Sequence, residues 1–358
     1  MSTHESAMMG RGYYNAHSQE QDNANAIALP MLEQAAAAAT LPAPGEPAVV
    51  ADYGASQGHN SLAPMRTVIA TLRRRLAPDA AISIVHTDLP SNDFSALFTL
   101  LAESPDSYLR GAAEVYPSAI GRSFYQPLFA SGQVALGYSA IAVHWLSAAP
   151  CPIPNHIWPP RAEDAVRAAF AARARTDWDT FLACRARELR PGGRLVVVGS
   201  LADSAGRSGA EGLLDLANDV LQELVAAGTL AAATYQQMVL PMYYRTLEEY
   251  TAPFSMHPAS DGTSLQLIAS EPVALADVFW ARYQEAGDRQ AYAAAYTGFL
   301  RAFTEPTLFG ANVPAVPPQS SKRLADEFYR RVQERIMADP ARVRCAWQIV
   351  LLHLAKAP

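Results

Sequence analysis

Three apolar runs, each closed by a turn and set between helical stretches, constrain this chain more than any other feature. Ala48-Val49-Val50-Ala51 leads into Asp52-Tyr53-Gly54, and Ile82-Ser83-Ile84-Val85-His86-Thr87 ends in Asp88. Arg194-Leu195-Val196-Val197-Val198-Gly199 follows the turn Pro191-Gly192-Gly193. Runs with so little polar alternation predict strands covered on both faces, the habit of parallel sheets flanked by helices. Helical patterns over 60–76, 93–102 and 162–189, with a further strand over 134–143, complete the alternation. The expected fold is α/β around an open, mostly parallel sheet.

Beyond residue 209 helices dominate, over 212–227, 275–285, 290–303 and 324–337, with a loop at 314–321. Two β-like runs, 264–270 and 347–353, are placed to return to the sheet as late strands. The expected organisation is one α/β core (1–208 with 260–274 and 340–358) and a helical cap (209–259 and 275–339). The segment before the Pro42-Ala43-Pro44 joint reads as a peripheral helix.

Composition narrows the partners. Half of the 358 residues are hydrophobic and 17% are charged, which excludes a disordered chain. Lys and Arg number 28 against 34 Asp and Glu, a net charge of −6, so no basic excess points to nucleic acid or an anionic membrane. Cys151, Cys184 and Cys345 form no CxxC pair and no even framework, so a reducing compartment without structural metal is expected. Residues 1–25 are polar, and the longest apolar stretch, 347–355, falls far short of the roughly 20 residues that span a bilayer. A cytoplasmic location is the expectation.

The turn Asp52-Tyr53-Gly54-Ala55-Ser56-Gln57-Gly58-His59-Asn60 joins a strand to a helix, where α/β folds cradle nucleosides. A dinucleotide site would need a second glycine where Ser56 stands, and Asp52 would set a carboxylate beside a pyrophosphate. A phosphate-free cation such as S-adenosylmethionine suits the turn better. Gly54-Ala55-Ser56-Gln57-Gly58 also matches the G-x-S-x-G elbow of serine hydrolases, but it follows the first strand and no His-Gly-Gly motif precedes it. A glycine turn with no ligand stays open as well. Asp88, 36 residues after Asp52, can accept the hydroxyls of a ribose or cap the helix after Pro90.

Four blocks in order resemble the SABATH carboxyl methyltransferases. Tyr14-Asn15-Ala16-His17-Ser18-Gln19-Glu20-Gln21 is similar to S-Y-x-x-N-S-x-x-Q, and Ala51 to Asn60 to A-D-L-G-C-S-S-G-P-N. Asp88-Leu89-Pro90-Ser91-Asn92-Asp93-Phe94 is close to D-L-P-G-N-D-F. Ser123-Phe124-Tyr125 with Leu128-Phe129, then His144-Trp145-Leu146-Ser147, resembles G-S-F-Y-x-R-L-F followed by Y-S-L-H-W-L-S. The resemblance covers nearly the whole chain. It implies a Rossmann-like class I methyltransferase sheet with a helical cap formed by insertions, and S-adenosylmethionine as cofactor.

Position by position, the resemblance places Tyr14, Ser18, Gln21, Asp52, Gly54, Asn60, Asp88, Leu89, Ser123 and Phe124 at the cofactor. Gln21 and Trp145 fall where the family grips the substrate carboxylate, with His144 beside them and Tyr243 as a cap tyrosine. The departures are Ile141 for a tyrosine, Leu214 for a stacking tryptophan, Leu300 for a methionine, and Cys345 at another pocket position. They imply a wider pocket with less aromatic stacking. Some relatives bind magnesium through D-x-F-N, whereas Gln236-Gln237-Met238-Val239 cannot, so no metal is expected.

Methyl transfer to a carboxylate needs no general base, because an acid with a pKa near ~4.3 is already ionised at neutral pH. The activity implied is methyl-ester formation on a small hydrophobic acid, aromatic or medium-chain fatty, by in-line displacement. N-methylation of a purine-like substrate, a hydrolase using Ser56 and a non-catalytic cofactor-binding protein are the alternatives. The resemblance also raises a homodimer.

Overall fold

The structure is a computed structural model that describes residues 8–256, 265–310 and 318–357. Among the described residues seven strands form one sheet: β1 Ala48–Tyr53, β2 Ile82–Asp88, β3 Val115–Gly121, β4 Val134–Ala140, β5 Leu189–Leu201, β6 Leu265–Ala274 and β7 Gln348–Lys356. Their order is β3-β2-β1-β4-β5-β7-β6. The first five run parallel, while β7 is antiparallel to β5 and β6 to β7. The chain works outward from β1 to the β3 edge and then returns to β4 on the other side of β1. The carboxyl ends of β1 and β4 therefore flank the topological switch point, where open α/β sheets bind ligands.

The helices, in chain order, are α1 Tyr13–Ala16, α2 Gln19–Ala38, α3 Leu62–Arg73, α4 Phe94–Glu103, α5 Asp164–Glu188, α6 Glu211–Ala226, α7 Ala232–Tyr235, α8 Leu247–Met256, α9 Val278–Ala286, α10 Arg289–Leu308 and α11 Pro318–Ala338. On one face of the sheet α2 and α3 bury Ala24, Leu32 and Met65 against Val50, Leu136 and Val196. On the other, α5 and α8 bury Trp178, Phe181 and Tyr250 against Tyr53, Leu195 and Leu352. A separate cluster unites α6, α7, α9, α10 and α11 through Leu213, Tyr235, Phe279, Tyr296, Phe328 and Val332. Among the described residues no helix is long and apolar enough to cross a membrane.

Three expectations change. The N-terminal helix is not peripheral: α2 lays Ala24, Ala28, Ala35 and Ala36, all fully buried, against the core, and these small side chains let its backbone pass close to the sheet. Strand β3 was not expected, because Pro117, Gly121 and a half-exposed surface disguise an edge strand. Pro191-Gly192-Gly193 is not a turn before β5 but an excursion inside it, with Val134 pairing Leu189 and Leu136 pairing Arg194. Of the expected loop 314–321, residues 314–317 lie outside the described residues and the remainder opens α11.

Candidate active site

One cavity opens at the switch point. One wall begins at the turn after β1, where Gly54 has φ 84° and a Cβ there would lie 2.6 Å from the Ala142 methyl. Only glycine fits so close an approach. Ser56 follows with φ 49°, and its backbone N–H donates to Asp88 Oδ2 at 2.8 Å. The Leu89 N–H donates to Asp88 Oδ1 at 2.8 Å. Each carboxylate oxygen keeps a lone pair after these bonds, a fork suited to two vicinal hydroxyls. Burial, partly offset by the two N–H donors, pushes Asp88 up to about 6. The helix cap it was weighed against belongs to Asp93, whose Oδ1 accepts the Ala96 N–H at 3.0 Å.

Asp52 is held from behind. Its Oδ2 accepts the Ser61 hydroxyl at 2.5 Å and lies 2.8 Å from His86 Nδ1, while His86 Nε2 lies 2.8 Å from the Tyr108 hydroxyl. A carboxylate only accepts, so Nδ1 carries the proton, and Tyr108 donates to Nε2 when the ring is neutral. Residues from α2 close the side. Asn25 donates to the Gln21 carbonyl at 2.8 Å and accepts the Tyr138 hydroxyl at 2.5 Å, which fixes the turn that carries Gln21. Ser18 stands behind the wall, with its Oγ 3.4 Å from Asn60 Oδ1.

The opposite end begins where β4 stops. Ile141 has φ 49°, a strained value for a β-branched residue, and turns the chain so that His144 and Trp145 meet the cavity. An antiparallel bridge pairs Trp145 with Met242, and the Tyr243 N–H donates to the His144 carbonyl at 2.9 Å. Extended backbone alternates sides. Met242 and Tyr244 therefore face the cavity, while Tyr243 turns outward and donates to Glu249 Oε1 at 2.8 Å. Burial and the Arg245 charge push His144 down to about 3, so its ring is neutral, with Nδ1 3.1 Å from Ser200 Oγ.

Of the residues singled out in the sequence, Tyr14, Gln21, Asp52, Gly54, Asn60, Asp88, Leu89, Ser123, Phe124, Ile141, His144 and Trp145 line this one cavity. Leu214, Leu300 and Cys345 do not: they are buried in the helical cluster, where an apolar side chain has core to fill. Tyr243 does not either, for the reason of alternation. The expected loss of aromatic character is corrected too, since Tyr244, Phe299, Phe303 and Trp347 supply rings to the wall. Sequence reasoning missed these four; only the alternation after Pro241 could have signalled one of them, Tyr244. The hydrolase assignment finds no support, because Ser56 Oγ has no hydrogen-bond partner among the described residues. Histidines in and near the turn are engaged elsewhere, His59 with Asp22, His86 with Asp52 and His144 with Ser200.

Charge sorts the cavity into two ends. Among the described residues that line it, Asp52 and Asp88 are the only acidic side chains, and no Lys or Arg is present. Of the residues that line it, buried Gln21 Oε1 and Ser56 Oγ lack partners among the described residues, as groups awaiting a ligand would. Such a donor and acceptor set fits a ribose with an attached cation and repels a pyrophosphate. Sheet order and site together define a class I methyltransferase.

A family model described as SAM dependent carboxyl methyltransferase matches residues 3–356, and the chain belongs to that family, whose cofactor is S-adenosylmethionine. It is 33% identical over 249 residues to "Methyltransferase LUC1" of Fusarium sp, covering 68% of this chain and 64% of that protein, slightly under two thirds of its length. It is 28% identical over 262 residues to "Gibberellic acid methyltransferase 2" of Arabidopsis thaliana, covering 67% of each. It is 30% identical over 233 residues to "Indole-3-acetate O-methyltransferase 1" of Oryza sativa subsp. japonica, covering 56% of this chain and 57% of that one. The fold is that of a solved structure titled "Loganic acid methyltransferase with SAH", with a TM-score of 0.77, 20% identity and 99% of both chains covered.

Proposed function

We propose that the protein transfers a methyl group to the carboxylate of a small hydrophobic acid, with an aromatic or otherwise ring-bearing skeleton preferred over a straight chain. One observation carries the proposal: a cavity with two carboxylates at one end and only neutral donors at the other. S-adenosylmethionine supplies the methyl on a sulfonium. Asp88 would accept the ribose hydroxyls, Asp52 would favour the cationic end, and Phe124 and Tyr14 would offer ring faces. Asn60, Leu89 and Ser123 would complete that wall, with Ser18 behind Asn60.

At the other end the Gln21 amide and the Trp145 indole both line the cavity, and the Gln21 amide oxygen has no hydrogen-bond partner among the described residues. Together they can hold one carboxylate oxygen and leave the other to attack. Being neutral, they orient the anion without lowering its nucleophilicity as a guanidinium would. No group need remove a proton, since the substrate is ionised already. The apolar wall excludes water around opposite charges that neutralise each other during transfer, and alignment of the two partners contributes on the order of 7–11 kcal/mol.

The segments 209–259 and 275–339 act as a cap, whose described residues contribute Met242, Tyr244, Phe299 and Phe303 to the cavity. Rings line that end, and relatives named for gibberellic acid and indole-3-acetate are consistent with a cyclic acid. The test incubates purified protein and labelled S-adenosylmethionine with benzoate, salicylate, indole-acetate and octanoate. Methyl ester is expected, most on the ring-bearing acids; transfer to none of them overturns the proposal.

A further inference from the structure

A charged pair lies outside the cavity, and the chemistry above does not use it. Arg185 and Glu188, three residues apart at the end of α5, are both fully buried. Arg185 Nε donates to Glu188 Oε2 at 2.9 Å and Nη2 to Oε1 at 2.8 Å. Burying such a pair is costly, and apolar residues of the same size often serve a core equally well. Its remaining hydrogen bonds show what it holds. Arg185 donates to the carbonyls of Phe124 at 2.8 Å and Gln126 at 3.2 Å, and Glu188 Oε1 accepts the Leu128 N–H at 2.6 Å. Glu188 Oε2 accepts the Tyr53 hydroxyl at 3.1 Å, and the guanidinium stacks 4.2 Å over the Tyr53 ring.

The segment from Ser123 to Phe129 has no helix or strand ladder of its own, so its backbone groups need partners from elsewhere. This segment presents Ser123 and Phe124 to the cofactor side of the cavity. Its Tyr125 hydroxyl donates to the Trp145 carbonyl at 2.6 Å, so the same loop braces the residue at the substrate end. Tyr53 immediately precedes Gly54 of the glycine turn.

We infer that Arg185 and Glu188 are positioning residues: the pair clamps the 123–129 loop, and through it sets Phe124 against the cofactor and Trp145 against the acid. The inference rests on the cofactor and substrate ends assigned above. The planar fork of Arg185 reaches two carbonyls and a carboxylate at once, which a lysine ammonium cannot. Because the clamp's backbone bonds end on a loop, and Tyr53 at the end of β1 is its contact with the sheet, its loss should cost binding and alignment before it costs the fold.

The test compares wild type, Arg185→Lys, the double variant Arg185→Met/Glu188→Leu, and Tyr125→Phe. S-adenosylhomocysteine affinity is measured by calorimetry, kcat and KM for both substrates by turnover, and folding by thermal melting. Arg185→Lys and the double variant should melt within a few degrees of wild type while S-adenosylhomocysteine binds at least tenfold more weakly. Tyr125→Phe should raise KM for the acid and leave S-adenosylhomocysteine affinity unchanged. If the double variant does not fold, Arg185→Lys alone decides. A folded Arg185→Lys protein with wild-type affinity and kinetics overturns the inference, and so does a fall in melting temperature with unchanged affinity. Wild type that binds no S-adenosylhomocysteine would instead overturn the site assignment on which the inference rests.

Discussion

Asp88 offers a sharp perturbation, because two independent handles bear on the same carboxylate. Its oxygens already take the Ser56 and Leu89 N–H groups at 2.8 Å each, which leaves one lone pair per oxygen for the cofactor. Asp88→Asn keeps the shape but turns an NH2 group toward one of those backbone donors, so one acceptor for the ribose is lost with the charge. Hydrogen bonds to a charged group are worth about 1.5–3 kcal/mol each. Losing one should weaken S-adenosylhomocysteine binding by roughly 10- to 150-fold.

The pH handle has a defined sign. Burial raises Asp88 from 3.8 to about 6, so the folded ligand-free protein holds this proton more firmly than the unfolded chain does. The group's contribution to stability is thus complete below about pH 4 and fades as pH rises through 6. Cofactor binding runs the other way, because ribose hydroxyls favour the ionised form. One pH unit below that value about nine-tenths of the carboxyl is protonated, which predicts affinity about tenfold weaker at pH 5 than on a plateau above pH 7. Calorimetry at pH 5, 6, 7 and 8 should show this slope in wild type and a flat, weak profile in Asp88→Asn. Equal affinity of the two proteins, or a flat wild-type profile, would refute a ribose-binding carboxylate.

Trp145→Phe, which keeps the ring and deletes the N–H, should lower kcat/KM for acids by about 1–2 kcal/mol while S-adenosylhomocysteine affinity holds; steady-state kinetics beside calorimetry checks both. Gln21→Ala should cut turnover more than stability, since the amide oxygen it removes has no partner within the described protein. Gly54→Ala forces a methyl against Ala142 at a φ of 84° and should destabilise the fold by about 1–3 kcal/mol, read by urea unfolding. Tyr244→Ala should change the ranking of acids in competition assays, and Tyr243→Ala should not.

The parts of the molecule legible in the sequence are those whose physics is local. Val49-Val50-Ala51, Ile82 to Thr87 and Leu195 to Val198 read as central strands because both faces of each are covered. Gly54 and Asp88 read as site residues because a turn and a strand end place them. Strand β3 escaped because Pro117 and an exposed edge remove the apolar signature. Whether Leu214 and Leu300 face a pocket or a core is invisible to periodicity, since both fates demand an apolar residue. Tyr243 and Tyr244 differ by one position, and one residue of phase exchanges inside for outside. The supports of the site join distant segments: Asn25 with Tyr138, Asp52 with His86, and Arg185 with the 123–129 loop. Such pairs follow from topology, which single-sequence patterns do not encode.

The carboxylate as methyl acceptor is tested most directly by a matched set: indole-3-acetic acid, its primary amide and its alcohol, each supplied with labelled S-adenosylmethionine. The three share a skeleton and differ at the reacting group. Label should appear only with the acid, in a product that mild base hydrolyses back to it, because only the acid presents a ready-made anion to donors that cannot take a proton. Stable label on the amide or alcohol, with the acid inert, would contradict the account.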